Sequence, residues 1–222
     1  MLNRRQVLAG VGGLGAAAVL APWPAIGQGA LPADRNFVVL RDGNQIGHHT
    51  ISFARDGADV AVDVDVALKV KLAFVTLYSL QHHNREVWRD GKLHTIDTNT
   101  VESGKKYTIN GRQTADGFRT AVTTDGKTEE RTLPPTIVPT SYWNPATVRQ
   151  TALLNSVNGK LLDVKILERG AEPVKIKATP VPTRKFSITG ELTLDLWYDA
   201  GNEVVRLAFE NRGSLIEYDL RA

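Results

Sequence analysis

The sequence contains no cysteine among its 222 residues. This absence excludes disulfide bonds, cysteine nucleophiles, thiolate metal sites and haem attachment through thioether bonds. It also excludes the lipidated cysteine of a bacterial lipoprotein. A Gly-x-Ser-x-Gly nucleophile elbow and a phosphate-binding glycine loop before a helix are missing as well. The sequence therefore offers no recognisable catalytic motif, and its fold must depend on an apolar core and on strand pairing.

The sequence also lacks a strong excess of positive or negative charge. The 27 basic and 24 acidic residues give a net charge of +3, and no block of like charges occurs. Arg4 and Arg5 lie in an acid-free N-terminal segment, and without them 25 basic residues face 24 acidic ones. Nucleic-acid binding depends on clustered positive charge, so this balance excludes nucleic acid as a partner.

Long apolar runs are absent too, since a membrane-spanning helix needs about 20 consecutive apolar residues. A shorter run over residues 7–21, rich in glycine and alanine, follows the Arg4-Arg5 pair. This layout is typical of a twin-arginine signal. We expect a signal peptide over residues 1–27, cleaved at about 27–30, and a periplasmic or secreted protein without stable membrane insertion. A general export signal and a buried N-terminal helix are the alternatives, and without cleavage the segment would anchor the protein in the membrane.

Glycine punctuates the rest of the sequence at short intervals. Asp-Gly and Asn-Gly dipeptides supply the positive φ angles of tight hairpin turns, and segments rich in Val, Ile, Thr and aromatic residues lie between them. Ten such signals predict an all-β antiparallel meander. They are Asp42-Gly43, Asp56-Gly57, Asp90-Gly91, Ser103-Gly104, Asp116-Gly117, Asp125-Gly126, Asn158-Gly159, Arg169-Gly170, Gly201-Asn202 and Arg212-Gly213.

The opening strands are long enough to predict curvature. Residues 60–72 alternate between apolar and polar side chains, and residues 74–89 form another long strand or two broken ones. Twist accumulates along long strands. We therefore expect a single β domain over residues 31–222, with its meander forming a curved sheet, a half-barrel or a barrel.

The strand pattern breaks once, at residues 134–156, which we call the crossing segment. Its prolines exclude a central strand. Asn144 followed by Pro145 predicts the start of a short helix that continues to about Leu154. The crossing segment either covers an open end or one face of the sheet, or it merely links two halves of the meander.

Histidines are the first candidates for chemistry. His48 and His49 are adjacent on one predicted strand, and His82 and His83 are adjacent on another, so each pair contributes one imidazole to a given face. A metal site could combine His82 and Glu86 with His48 or His49, which would suit zinc or copper. The alternative is a set of polar histidines on a half-exposed sheet. No other cofactor is predicted.

Aromatic residues are the second candidates. Trp88, Tyr142, Trp143, Trp197 and Tyr198 combine an apolar ring with a polar atom, which suits the lining of a ligand pocket. Tyr142 and Trp143 lie in the crossing segment, near a predicted open end of the sheet. Core packing is the alternative for all five.

Three motifs carry a resemblance to known proteins: Arg41-Asp42-Gly43-x-x-Ile46-Gly47-x-His49, Glu86-x-Trp88-Arg89-Asp90-Gly91-x-Leu93, and Thr189-Gly190-x-Leu192-x-Leu194-Asp195-Leu196-Trp197-Tyr198-Asp199. Through them, nearly the whole chain after the signal resembles an uncharacterised family of exported proteobacterial β domains. The first and last hairpins also resemble a second uncharacterised periplasmic family, which is similar to the half-barrel of lipoprotein carriers. The resemblance implies a curved antiparallel sheet over an apolar cavity, and it implies no established catalytic residues.

These observations predict a periplasmic, non-catalytic binding protein for an apolar or amphipathic, lipid-like ligand. A metal-dependent enzyme is one alternative. The other is a structural module that binds an envelope protein along an exposed sheet edge.

Overall fold

The computed structural model describes residues 31–221, so the predicted export signal lies outside the described residues. Within them, no helix is long and apolar enough to cross a membrane. The described chain forms a 3-10 helix, Pro145–Arg149, and a long series of strands. The strands are β1 (Arg35–Arg41), β2 (Asn44–Asp56), β3 (Asp59–Leu72), β4 (Val75–Arg89), β5 (Lys92–Glu102), β6 (Lys105–Thr114), β7 (Gly117–Thr124), β8 (Lys127–Leu133), β9 (Val138–Pro139), β10 (Ala152–Leu154), β11 (Leu161–Ala171), β12 (Val174–Ile176), β13 (Thr179–Val181), β14 (Thr183–Gly190), β15 (Leu194–Asp199), β16 (Val204–Asn211) and β17 (Ser214–Arg221).

Fifteen of these strands form one sheet in the order β8-β7-β6-β5-β4-β3-β2-β1-β17-β16-β15-β14-β11-β10-β9, and β12 and β13 form a separate ribbon. Every pair within the large sheet is antiparallel except β9 with β10. The first and last strands pair with each other, so the two ends of the described chain meet in the middle of the sheet. The predicted all-β antiparallel meander is confirmed.

The sheet curves strongly but does not close by hydrogen bonding, because its edges are β8 and β9. Val64 on β3 and Leu207 on β16 line the same cavity although three strands separate β3 from β16 in the sheet. Near the two edges the backbone of Gly159 packs against Val122 on β7, where an added Cβ would lie 2.4 Å from the valine side chain. The two ends of the sheet therefore touch by packing, and the architecture is an open barrel.

Buried and exposed side chains alternate along the strands, so each strand has an inner face and an outer face. On β3 the side chains of Val62, Val64 and Val66 are buried, whereas Asp65 and Lys71 are exposed. The register is well specified because a shift by one residue would turn the valines to solvent. The inner faces of the strands share one apolar core.

The crossing segment contains less helix than its sequence predicts. Asn144 caps the first turn, with its side-chain oxygen accepting a hydrogen bond from the Ala146 N–H at 2.8 Å. The helix then ends at Arg149, because Gln150 is extended and β10 pairs with β11. The prediction of a helix to about Leu154 is wrong for this reason. Ile137 and Trp143 are buried in the core, so the crossing segment covers the inner face.

Candidate functional site

The inner face of β4 carries an unusual run of buried polar side chains. His82, Asn84 and Glu86 alternate along the strand and lie opposite Val66, Val64 and Val62 of β3. Each of the three is at most 5% exposed. A polar group in apolar surroundings costs free energy unless it finds a hydrogen-bond partner. Their partners therefore decide what these side chains do.

Glu86 is fully buried and well supplied with donors. Its Oε1 accepts a hydrogen bond from Asn84 Nδ2 at 2.7 Å, and its Oε2 accepts from Trp88 Nε1 at 2.8 Å and from Trp143 Nε1 at 2.9 Å. We call these four residues the Glu86 cluster. Burial raises the pKa of Glu86, and the hydrogen bonds from Trp143, Trp88 and Asn84 oppose that shift. Because Trp143 belongs to the crossing segment, the carboxyl group fastens that segment to β4.

Aromatic contacts strengthen the same attachment. The Trp143 ring meets Phe53 and Trp88 edge to face, with ring centroids 5.3 Å apart in both pairs. The Tyr198 hydroxyl donates a hydrogen bond to the Tyr142 backbone carbonyl at 2.7 Å. Four of the five predicted aromatic site residues thus meet around the crossing segment.

Trp197 lies elsewhere, on the outer face of the sheet. It packs against Val174 and Val205 in a small separate cluster. Its indole N–H donates to Glu172 Oε1 at 3.1 Å, and the Lys185 ammonium lies 4.7 Å from its ring centroid. The structure does not bring Trp197 together with the other candidates.

A cavity of about 200 Å³ lies between the inner face and the crossing segment, and we call it the inner cavity. It exceeds the roughly 150 Å³ that holds a benzene molecule but lies below the roughly 300 Å³ at which typical ligand pockets begin. Its lining is predominantly apolar. The lining residues are His49, Val64, Val66, Leu80, His82, Thr140, Ser141, Tyr142, Asn155, Ser156, Val157, Leu192, Thr193, Leu194, Leu207, Phe209 and Tyr218.

Two histidines of this lining form what we call the histidine pair. His49 on β2 and His82 on β4 both lie opposite Val66 of the intervening strand, and both are buried. His82 Nδ1 is 2.8 Å from the Thr100 hydroxyl, and the His49 ring meets Tyr218 edge to face at 5.6 Å. Among the described residues, neither Nε2 atom has a hydrogen-bond partner.

Both imidazoles of the histidine pair are neutral near pH 7. Burial is the main cause, and it lowers the pKa of His49 to about 3 and that of His82 to about 4. Repulsion from His82 in its protonated form lowers the pKa of His49 further. A neutral imidazole nitrogen either donates or accepts one hydrogen bond. The histidine pair therefore carries two unpaired nitrogen atoms on side chains that line an otherwise apolar cavity.

The predicted metal ligands are not assembled as a metal site. His48 is on the outer face, so it cannot join His49 and His82. Glu86 is separated from His82 by Asn84, and its oxygens already accept three N–H donors. No group of three His, Asp or Glu side chains within residues 31–221 is arranged to hold a metal ion. The alternative of half-exposed histidines is also wrong for His49 and His82, because the inward face of their strands is covered.

Most of the lining of the inner cavity escapes the sequence-based prediction. Leu207, Phe209 and Tyr218 come from β16 and β17, which join β2 through β1 in the sheet. Their period-two apolar pattern indicates an inward face. It does not indicate that this face lies across from β3 and β4.

The comparisons with known proteins agree with the fold. No curated protein matches this chain in sequence. The chain is similar to the crystal structure of a β-barrel-like protein of the domain of unknown function DUF1849 from Brucella abortus, with a TM-score of 0.57. That similarity covers 84% of this chain and 94% of the other at 8% sequence identity, so it concerns the fold alone. The model of a domain of unknown function, DUF6134, matches residues 37–221, and the chain therefore belongs to the DUF6134 family.

Proposed function

We propose that this protein is a non-catalytic binding protein for a small apolar or amphipathic ligand, and that the inner cavity is its binding site. One observation carries the proposal: the side chains of His49 and His82 line an apolar cavity, and the buried Nε2 atom of each has no hydrogen-bond partner among the described residues. Buried polar atoms are nearly always paired in proteins. A ligand with a polar group would supply the missing partner.

The chemistry of the lining narrows the class of ligand. A hydroxyl group both donates and accepts hydrogen bonds, so it fits a neutral imidazole in either tautomer. A charged group would lose its hydration in this apolar site with no countercharge from the neutral histidines. The volume of about 200 Å³ suits an alkyl chain of moderate length, or the end of a longer chain that leaves through the open side. A single-chain amphiphile with an uncharged hydroxyl head group meets these conditions.

The cellular setting is part of the proposal. The paired arginines Arg4 and Arg5 and the short apolar run after them predict twin-arginine export, so the protein would act in the periplasm or outside the cell. The first and last hairpins resemble a periplasmic family that is similar to the half-barrel of lipoprotein carriers, and this resemblance supports a lipid-like ligand by analogy of fold, which is weaker support than the cavity itself.

Native mass spectrometry of the protein purified from its own envelope tests the proposal first. We expect a bound amphiphile that organic solvent releases. Calorimetric titration of the emptied protein with 1-octanol provides the second test. Replacing the histidine pair, in the variant His49→Leu with His82→Leu, should weaken octanol binding about tenfold or more, because hydrogen bonds to a buried polar ligand group are lost.

The neighbouring histidines supply a matched control. His48 and His83 point to the outer face, so the variant His48→Leu with His83→Leu changes the same residue type away from the cavity. It should bind octanol like the wild type. A protein that carries no ligand from the envelope and binds octanol equally well in both variants would contradict the proposal.

An interaction module that pairs along the sheet edge is less well supported. The β8 edge presents the exposed charges Lys127, Glu129 and Glu130. Charged side chains on an edge strand discourage the addition of another strand. We therefore do not propose strand addition at β8.

A further inference from the structure

The hairpin formed by β3 and β4 projects beyond the rest of the sheet. Pairing of β3 with β2 ends at Leu68, and pairing of β4 with β5 ends at Leu80. Residues 69–72 of β3 continue past that boundary, which adds about 13 Å at about 3.3 Å per residue. The end of this hairpin is therefore a two-stranded ribbon that is not paired with β2 or β5.

The projecting end is apolar and exposed, and we call residues 71–77 the hairpin tip. Phe74 is fully exposed, and Leu72, Val75 and Leu77 are exposed by 67%, 62% and 55%. Soluble proteins rarely expose such a contiguous apolar group without a function for it. No other part of the described chain exposes four large apolar side chains so close together in sequence.

The turn itself is unlike the other long hairpins of the sheet. Those hairpins turn at dipeptides such as Asp42-Gly43 and Asp90-Gly91. Here Ala73 takes the left-handed conformation, with φ of 51°, and Phe74 follows it. Left-handed backbone favours Gly, Asn or Asp. The turn at Ala73 is therefore less favourable than a turn with glycine, and it places Phe74 at the end of the hairpin.

The charges around the hairpin tip are mainly positive, and the acidic exception is Glu102, which accepts a hydrogen bond from the Tyr78 hydroxyl at 3.1 Å. Residues 66–85 contain no Asp or Glu, Lys69 lies just before the tip, and Lys71 is its first residue. Lys105 and Lys106 follow the adjacent β5–β6 turn, and all four lysine side chains are exposed. The β5–β6 turn is tied to the hairpin, since the Ser103 N–H donates to the Ser79 carbonyl at 2.8 Å. An apolar tip with a cationic rim therefore faces away from the sheet.

We infer that the hairpin tip docks into an anionic lipid bilayer. Phe74 and the three aliphatic side chains enter the boundary between head groups and acyl chains, where apolar surface is removed from water. The lysines remain at the level of the head groups and attract anionic lipid. A protein partner would bury the same side chains, but it would need acidic groups placed against the lysines. An anionic bilayer offers such groups around the whole rim.

The interior of the hairpin connects the tip to the inner cavity. Leu68 and Val70 on β3 are buried beside Leu80 and half-buried Tyr78 on β4, between the tip and the Val66 side of the cavity. An apolar strip thus leads from the docked tip toward the binding site, and an amphiphile can pass between bilayer and cavity along it. This extension depends on the proposed binding function, whereas docking itself does not.

Vesicle binding by the processed protein, purified from the envelope after removal of its signal, tests the inference. The variant Phe74→Trp provides a reporter at the tip. With vesicles of phosphatidylglycerol and phosphatidylcholine we expect a blue shift of its emission and quenching by brominated acyl chains, beyond any change in the wild type. With phosphatidylcholine alone, or at high salt, both effects should fall strongly because the lysines lose their anionic partners.

Two sets of variants separate the contribution of the apolar tip residues to vesicle binding from that of the lysines. Ala73→Asn with Phe74→Gly installs a favoured hairpin turn and removes the aromatic ring, and we expect vesicle affinity to fall about tenfold or more. Lys69→Gln and Lys71→Gln should each cost about fivefold. Leu167→Thr changes an apolar residue that is 40% exposed on β11, away from the tip, and should leave binding unchanged.

The outcomes distinguish docking from ligand binding. The His49→Leu with His82→Leu variant should bind vesicles like the wild type even if it no longer binds octanol. Cooperative urea unfolding of the tip variants, with the wild-type midpoint, shows that they are folded whether or not the protein binds octanol. Equal binding to neutral and anionic vesicles would overturn the inference, and so would the absence of bromolipid quenching in the Phe74→Trp variant. One further result would overturn the inference: the wild type is a dimer, the variant Ala73→Asn with Phe74→Gly is a monomer, and neither protein binds vesicles.

Discussion

The Glu86 carboxyl group and the histidine pair lie on the same inner face, but only the carboxyl group has hydrogen-bond partners for both of its polar atoms. Glu86 accepts hydrogen bonds from Asn84, Trp88 and Trp143, all within 2.9 Å. The Nε2 atoms of His49 and His82 have no partner among the described residues. Burial of a polar group therefore does not by itself indicate a binding site. The satisfied group fastens the crossing segment, and the unsatisfied pair faces a cavity that can hold a ligand.

Replacement of Glu86 should produce the largest effect. Glu86→Leu leaves three buried N–H donors without an acceptor, and we expect the free energy of unfolding to fall by about 3 kcal/mol or more. Glu86→Gln keeps an acceptor oxygen, and the amide of Asn84 can rotate to accept from the new N–H, so its cost should be about 1 kcal/mol. Urea unfolding at pH 7 measures both. Equal losses in the two variants would show that the N–H donors do not depend on this carboxyl group.

Acid should weaken the fold through the histidine pair. The folded-state pKa values of His49 and His82, about 3 and about 4, lie below the ordinary value of 6.5. The unfolded chain therefore binds two protons that the folded protein excludes. Stability should fall as the pH drops from about 6.5 toward 4, by about 1.4 kcal/mol per pH unit for each histidine.

Variants separate the pH dependence of stability that the histidine pair causes from the pH dependence that Glu86 causes, which has the opposite sign. The raised pKa of Glu86 gives stability that is present at low pH and decreases as the pH rises above 4.5. Urea unfolding at pH 6 and pH 5 should show a slope smaller by about 2.4 kcal/mol per pH unit in His49→Leu with His82→Leu than in the wild type. Parallel slopes in the variant and the wild type would mean that the histidine pair is charged in the folded state.

Removal of one donor from the Glu86 cluster should have a moderate effect. Trp143→Phe deletes the indole N–H that joins the crossing segment to Glu86, and we expect a loss of about 1–2 kcal/mol. Hydrogen exchange should increase in residues 134–156. Trp197→Phe deletes an indole N–H bonded to Glu172 on the outer face, so it should leave exchange in the crossing segment unchanged. Faster exchange in both variants would show that the attachment is not specific to Trp143.

Replacement of the histidine pair should have the smallest effect at pH 7. His49→Leu with His82→Leu fills apolar surroundings with apolar side chains and removes two unpaired polar atoms, which offsets the loss of the hydrogen bond between His82 and the buried Thr100 hydroxyl. We expect stability within about 1 kcal/mol of the wild type. A loss of about 3 kcal/mol, measured by the same urea unfolding, would give the pair a structural role like that of Glu86 and would remove the contrast between the two regions.

The local features of the fold follow from the sequence more readily than its closure does. The alternation over residues 60–72 predicts both β3 and its inward valines, and the Asp-Gly turns predict most hairpins. The turn at Ala73-Phe74 carries no glycine signal. Whether the edges of a curved sheet meet depends on the twist and register of all its strands, which no single segment specifies.

The candidate site is predictable only in part, for similar reasons. Alternation on β4 correctly assigns His82, Glu86 and Trp88 to one face. It does not reveal that Trp143, 57 residues further along the chain, donates to Glu86. Contacts at such separation depend on how the crossing segment folds back, and there the helix is shorter than its cap and proline indicate. Alternation also places Trp197 on the face opposite Leu196 and Tyr198, but it does not reveal the small cluster that buries the Trp197 ring there.

The nitrogen resonances of the imidazoles provide the most direct test of the binding site. In a sample labelled with ¹⁵N at histidine, titration with 1-octanol at pH 7 should shift the Nε2 resonances of His49 and His82, with the same saturation curve as the calorimetric binding. The resonances of His48 and His83 should stay in place. If octanol binds while the resonances of His49 and His82 do not move, or if all four histidines shift alike, the histidine pair is not the polar contact of the ligand and the account is contradicted.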